Sequence, residues 1–344
     1  MNSKKIFLLI IGLLFIIVSV LGFSIYSKIF KENTVQEGYL YIPTGSDFKE
    51  VENLIRPFLK SVKPFVWVAE KLSYKDAVKP GKYKISKGMN NLELTRMLRS
   101  GRQTTVNLSF NNQDTFEKLA GRISEQIEAD SISLLKSFTD HTFLNNAGLE
   151  TTEALGMYIP NSYEFYWNTT AEEFRAKMLK EFNKFWDASR LEKAKKLNLT
   201  KNEVITLASI VQKETASVSE RPIVAKLYLN RLASGWPLQA DPTIIFALKA
   251  KKGNDMVIKR VFSKDLEIDS PYNTYKNAGL PPGPISMPDI SSIEAVLNPA
   301  NHDYYYMCAS VTSFGTHEFA KTLEQHNRNA AKYQLWLNKQ GVNR

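Results

Sequence analysis

A glutamate at the end of an apolar helical stripe is the first residue here whose type and spacing suggest chemistry. Thr200 and Glu203 form a T-x-x-E capping box, which marks where a helix starts. Val204, Leu207, Ala208 and Val211 then share one face, and one further step of three reaches Glu214. A carboxyl there is held away from its charged form twice, by burial and by the negative end of the helix dipole. Both raise its pKa, which suits a general acid that must keep its proton near neutral pH. The alternatives are an ion pair with Arg221 or Arg231, or a helix that stops early and leaves Glu214 in water.

Few other groupings compete. His141, His302, His317 and His326 lack the HExxH spacing, a single cysteine excludes a disulfide framework or thiolate metal cluster, and no Gly-rich phosphate loop is present. No metal and no cofactor is therefore expected. With 344 residues, 43% hydrophobic and 23% charged, the chain is neither a disordered polymer nor a many-pass membrane protein, and two globular domains fit. The formal net charge of +10 suggests an anionic partner. Its basic residues are interleaved with acidic ones rather than gathered on one arm, so no nucleic acid is expected.

The elements that must position Glu214 begin with an anchor. Residues 6–26 are apolar enough, and at about 1.5 Å per residue long enough, to span the hydrocarbon core of a bilayer. No Ala-x-Ala site follows, which favours an uncleaved single-pass helix over a signal peptide. Lys4 and Lys5 favour a cytoplasmic N-terminus (residues 1–5) and an extracytoplasmic remainder, although Lys28 and Lys31 on the other flank blunt that bias.

Residues 27–38 are expected to form a polar linker, and 39–102 a small α/β unit. Strands are expected at 39–42 and 82–85, with helices starting at Ser46 or Asp47, carrying Phe65 to Leu72, and ending at Gly101. Residues 103–344 read as mainly helical, with apolar periodicity over 115–127, 132–138, 171–196, 203–214, 220–233 and 318–338. A Gly- and Pro-rich loop, 270–288, interrupts them. The fold class is α+β.

Several motifs recur in an order that resembles one family. They are Ala208-Ser-Ile-Val-Gln-Lys-Glu214-Thr215, Ser219-Glu220-Arg221-Pro222, Tyr228-Leu-Asn230-Arg231, and Leu238-Gln239-Ala-Asp241-Pro242-Thr243. Glu153-Ala-Leu-Gly156 through Tyr163-Glu-Phe165 precedes them, and Tyr272-Asn273-Thr274-Tyr275 with Gly279-Leu-Pro-Pro-Gly283-Pro-Ile285 follows. Together they resemble the endolytic murein transglycosylases of the MltG (YceG-like) family across nearly the whole chain. Gln212 stands where that family commonly has glutamate, and Asn161 where it has aspartate.

The resemblance implies a LysM-like subdomain at 39–102, a YceG-like catalytic domain at 103–344, and Glu214 as the catalytic acid. It implies a lytic transglycosylase acting on peptidoglycan strands at the inner membrane, beside peptidoglycan synthases such as penicillin-binding proteins. Gln239, Asp241, Asn273 and Tyr275 lie in matching motifs and are candidates for substrate binding. For each the alternative is structural: a helix cap, a turn residue or packing. Glu220 is expected as a helix N-terminal carboxylate rather than a second catalytic group. A non-catalytic murein-binding scaffold and a lysozyme-like hydrolase are the rival readings.

Overall fold

Side chains that cap helices set many of the element boundaries in the computed structural model, which describes residues 3–254, 256–258, 260–313 and 315–340. The chain folds as two units. One runs to Leu108 and takes in Glu125–Ala129 and Tyr163–Thr170; the other holds Ser109–Ser124, Asp130–Ser162 and the chain from Ala171.

The first unit opens with helix α1, Ser3–Phe30, longer than the 6–26 span expected and apolar enough over Lys4–Phe30 to cross a membrane. Strand β1 (Gly38–Ile42), helices α2 (Phe48–Ile55) and α3 (Val62–Lys71), strand β2 (Gly81–Ile85) and helix α4 (Asn91–Ser100) follow, and the chain leaves along β3 (Val106–Phe110). β1 and β2 pair antiparallel, with Leu40 opposite Tyr83. Alternation turns Leu40, Ile42, Tyr83 and Ile85 onto a core shared with Val51, Ile55, Phe65 and Leu98. Asp47 caps α2, Asn90 closes a capping box on α4, and Gly101 ends α4 in the left-handed conformation.

The expected linker, residues 27–38, belongs to this unit instead. Glu32 bridges to Asn90 and Thr34 to Leu59. Asn33 is buried, donates to Asn91 Oδ1 at 2.8 Å and accepts from Ser61 N at 3.0 Å, while Asn91 donates to Lys28 O at 2.8 Å. These polar residues satisfy backbone groups that would otherwise be orphaned, so the segment is ordered although its composition reads as solvated.

The second unit is mainly helical: α5 (Phe116–Ser124), α6 (Ser131–Phe138), α7 (His141–Ala147), then strand β4 (Asn161–Phe165), where the chain crosses units, α8 (Ala171–Phe185) and α9 (Ala188–Lys196). Next come α10 (Lys201–Glu214), α11 (Arg221–Ala233), α12 (Asp241–Lys252) and α13 (Ile290–Leu297). Strands β5 (Tyr306–Ala309) and β6 (His317–Ala320) pair antiparallel before α14 (Leu323–Lys339). The helix expected over 171–196 is two, because Asp187 caps a new start. The one expected over 318–338 begins only after the Thr322 cap, its first residues being strand.

α10 is the axis of this unit. Every residue from Val204 to Val211 is buried, and α9, α11, α12 and α13 pack on it. The apolar stripe expected from spacing is therefore only part of a helix buried all round. Close packing explains two motif glycines: a Cβ on Gly156 would lie 2.5 Å from Ile205 Cγ2 of α10, and one on Gly283 2.1 Å from the Thr152 carbonyl oxygen.

Candidate active site

The Thr200–Glu203 capping box forms, with Glu203 N to Thr200 Oγ1 at 3.2 Å and Thr200 N to Glu203 Oε2 at 2.7 Å. It fixes the start of α10 and so places Glu214 on its final residue, half-buried, before the extended Thr215. Neither arginine expected as an ion-pair partner reaches it. Arg221 pairs with Asp289 at 2.8 Å, Arg231 Nε donates to Tyr305 O at 2.8 Å, and a second Arg231 nitrogen donates to Leu238 O. Among the described residues Glu214 makes no salt bridge.

What it has instead is a neutral donor. The fully buried Tyr228 of α11 donates its hydroxyl to Glu214 Oε2 at 3.0 Å. Desolvation raises the Glu214 pKa, and the nearby Asp241 carboxylate adds to the rise. His317, the Tyr228 hydrogen bond and Arg231 oppose it, and the net direction is upward. Burial likewise pushes the Tyr228 hydroxyl well above its usual range, so it stays a donor. Because that donor occupies Oε2, the acid hydrogen of Glu214 belongs on Oε1.

The two motif loops on either side of 240 and 274 are stapled to each other. Gln239 N donates to Thr274 O at 2.9 Å, Ala240 N donates to Thr274 Oγ1 at 3.1 Å, and the Thr243 and Thr274 hydroxyls lie 2.8 Å apart. Tyr275 donates its hydroxyl to Asp241 at 2.6 Å. Asp241 is exposed, and Gln239 is exposed on a left-handed backbone with φ of 50°. Asp241 and Tyr275 are thus joined beside Glu214, and the side chain of Gln239 is free to face solvent.

Asn273 is placed differently from the expectation of substrate contact. It is fully buried, donates to Leu266 O and Ile268 O at 2.8 Å each, and accepts from Tyr275 N at 3.0 Å. Every polar atom of its amide holds the loop, which is the turn role that asparagine fills readily.

Sequence reasoning missed three roles. Tyr228 was visible only as a motif member, yet its i+14 separation from Glu214 gives no local signal. Glu220 does sit at the start of α11, but its carboxylate is buried and accepts from His317 N at 2.7 Å and from His317 Nδ1 at 3.0 Å, across 97 residues. Gln212 accepts from Asp289 N at 2.5 Å and from the Ser292 hydroxyl at 3.1 Å, so it braces the start of α13, whose cap is Asp289. Among the described residues no group of three or more His, Cys, Asp or Glu side chains is arranged to hold a metal ion.

A half-buried, uncharged-favouring carboxyl with one fixed donor can give a proton to a leaving oxygen and take one back. Known proteins resemble this chain over most of its length. The model of the YceG-like family matches residues 40–332. An endolytic murein transglycosylase of Bacillus subtilis (strain 168) is 32% identical over 312 residues, which cover 85% of this chain and 83% of the relative. One from Streptococcus pneumoniae serotype 2 is 30% identical over 322 residues, and there the chain spans 57% of the relative's length. The crystal structure of a yceG-like protein from Listeria monocytogenes matches with a TM-score of 0.57 at 29% identity, covering 85% of this chain and 98% of that one. With the family pattern running through both units, this chain belongs to the YceG-like family.

Proposed function

We propose that this chain is an endolytic murein lytic transglycosylase, which cuts the β-1,4 bond between N-acetylmuramic acid and N-acetylglucosamine within glycan strands. The observation that carries the reading is Glu214, with its pKa raised by desolvation and one oxygen fixed by Tyr228. Relatives at 30–32% identity that bear this name support it.

The chemistry needs one carboxyl. Protonated Glu214 gives its proton to the glycosidic oxygen, the C1–O bond breaks, and the muramyl C1 becomes oxocarbenium-like. The C6 hydroxyl of the same sugar then attacks C1 and returns its proton to Glu214. A 1,6-anhydromuramyl end results, with no water consumed. Two-carboxylate hydrolases need a second carboxylate as nucleophile or base, whereas the other nearby carboxylate, Asp241, is already bonded to Tyr275. Asp241, Tyr275 and Gln239 are read as substrate-positioning groups; Asn273 shapes their loop.

The membrane-length α1 fits a single-pass anchor with a cytoplasmic N-terminus and an extracytoplasmic site, where nascent strands and their synthases are met. In the small unit the order β1, α2, α3, β2, with antiparallel pairing, supports the reading as a LysM-like module. Positive net charge adds diffuse attraction to anionic lipid and to carboxylate-bearing murein.

The test is digestion of uncross-linked murein strands by the wild type and by Glu214→Gln, with mass analysis of the new ends. Anhydro ends from the wild type and none from the variant are expected. Ends heavier by one water would make the protein a hydrolase, and an active Glu214→Gln would remove the assigned acid.

A further inference from the structure

The helix that carries Asp241 presents a stripe that the proposed mechanism does not use. Pro242, Ile245, Phe246 and Lys249 recur on α12 at i, i+3, i+4 and i+7, so they share one face, while Ile244, Ala247 and Leu248 turn into the core. The stripe forms one wall of a cleft of about 600 Å³ that lies wholly within the second unit. Lys118 of α5 and Lys213 of α10 also line it, and Ile285 of the 270–288 loop adds apolar surface. A second hollow, beside Thr151 and Thr152, continues from it and shares Phe246 and Lys249.

Bonds over long sequence separations hold these walls. Ser209 of α10 accepts from Ile285 N at 3.0 Å, Gln113 O accepts from Met287 N at 2.9 Å, and Lys213 pairs with Asp114 at 2.6 Å. That ion pair occupies Lys213 and Asp114 alike. Among the described residues neither Lys118 nor Lys249 pairs with a carboxylate, and Glu117 is the remaining acidic group lining either space. The cleft therefore sets two unpaired ammonium groups around a largely apolar surface, which favours a ligand that is both anionic and partly alkyl. Its place ties it to the candidate active site: Lys213 directly precedes Glu214, and Pro242 directly follows Asp241. From Pro242 the stripe runs to Lys249, about 10 Å further along α12.

We infer that this cleft holds the acidic stem peptide of murein, with Ile245 and Phe246 against its alkyl groups and Lys118 and Lys249 on its carboxylates. This rests on the reading of the chain as a murein transglycosylase and adds a part of the substrate that contacts to the sugars alone do not read. A stem peptide leaves the muramyl sugar through its lactyl group, on the same ring whose C1 reacts, and carries small alkyl side chains and free carboxylates. Extended at about 3.3–3.6 Å per residue, roughly three residues cover the length of the stripe. Ammonium groups on flexible stems suit carboxylates that do not all lie in one plane. A bare glycan, having no carboxylate to spare, would leave both lysines without partners.

The experiment compares uncross-linked murein strands that carry their peptides with the same strands stripped of them, using the full chain in detergent. Wild type should cleave the peptide-bearing strands with kcat/KM at least about five-fold higher, chiefly through KM. Lys118→Ala combined with Lys249→Ala should remove that preference and keep cleavage of stripped strands within about two-fold of wild type. Lys118→Arg with Lys249→Arg should retain the preference, since the charge stays. Equal cleavage of both strands by wild type, or an equal loss on both in the double alanine variant, overturns the inference.

Binding separates this inference from the reading it rests on. Glu214→Gln, titrated with each kind of strand in a calorimeter, should bind the peptide-bearing strands more tightly, and added salt or the two alanine changes should abolish the difference. Equal affinities overturn the inference. A retained binding preference in a chain whose wild type cuts neither strand removes the transglycosylase reading and leaves the cleft as a peptide site. Cleavage of both strands alike removes the cleft and leaves the reading.

Discussion

The two ends of the α10–α11 connection carry the same side chain in opposite circumstances. Glu214 closes α10, at the negative end of its dipole, and is given one hydrogen bond by the neutral Tyr228. Glu220 opens α11, at the favourable end, and takes both the backbone and ring donors of His317. Glu220 is the more deeply buried of the two and has two donors; Glu214 has one, and desolvation disfavours its ionised form. The difference is how many donors arrive after water leaves.

Replacing Glu214 gives the largest expected effect and tests this contrast most directly. Glu214→Gln should lower strand cleavage by at least about a thousand-fold. Its stability should move the other way. A carboxyl with a raised folded-state pKa binds its proton more tightly in the native state, so its contribution falls as pH rises from the ordinary carboxylate range through that raised value. The variant should thus gain Tm over wild type at pH 7 and not at pH 4. A gain of equal size at both would show that Glu214 carries no such shift.

Tyr228→Phe sharpens the comparison next. It removes the donor but keeps the ring, and since that hydrogen bond lowers the Glu214 pKa, the high-pH limb of kcat/KM should move up. A hydrogen bond to a charged group is worth about 1.5–3 kcal/mol, so a fall of roughly ten- to a hundred-fold in kcat/KM is expected. A limb that moved down would contradict the assigned direction of donation.

Asn273→Ala examines a buried polar group that is fully satisfied. It would orphan the Leu266 and Ile268 carbonyls and the Tyr275 N–H, at a cost of about 1–3 kcal/mol for each one that water does not reach. Thermal unfolding should show the loss clearly, with activity at low temperature falling much less. If catalysis were lost while Tm held, Asn273 would be a substrate contact after all. The smallest effect belongs to Gln212→Glu, because the acceptor toward Asp289 N and Ser292 survives the change. A Tm within a few degrees of wild type and retained cleavage are expected, and a change in the pH profile would place position 212 in the site.

Much of the local structure was legible because its causes lie within a few residues. Alternation gave β1 and β2, side-chain caps gave the starts of α2 and α10, and Gly101 gave the end of α4. Errors fell where a cap or a distant partner overrode periodicity: at Asp187, which splits one expected helix, and at His317–Ala320, which pairs as strand instead of extending α14. Asn33 and Thr34 looked like linker because polarity says nothing about which buried backbone groups a side chain will meet.

By itself, then, the sequence determined the membrane-length helix, the start of α10 and hence the carboxyl that α10 delivers at its last residue. Only the tertiary structure decided what Glu214 meets there. Tyr228, Asp241 with Tyr275, and Glu220 with His317 are brought together over 14, 34 and 97 residues. The physical reason is range: dihedral preferences and caps act along a few residues of chain. Desolvation and hydrogen-bond supply, which set whether a carboxyl keeps its proton, depend on every element that closes around it.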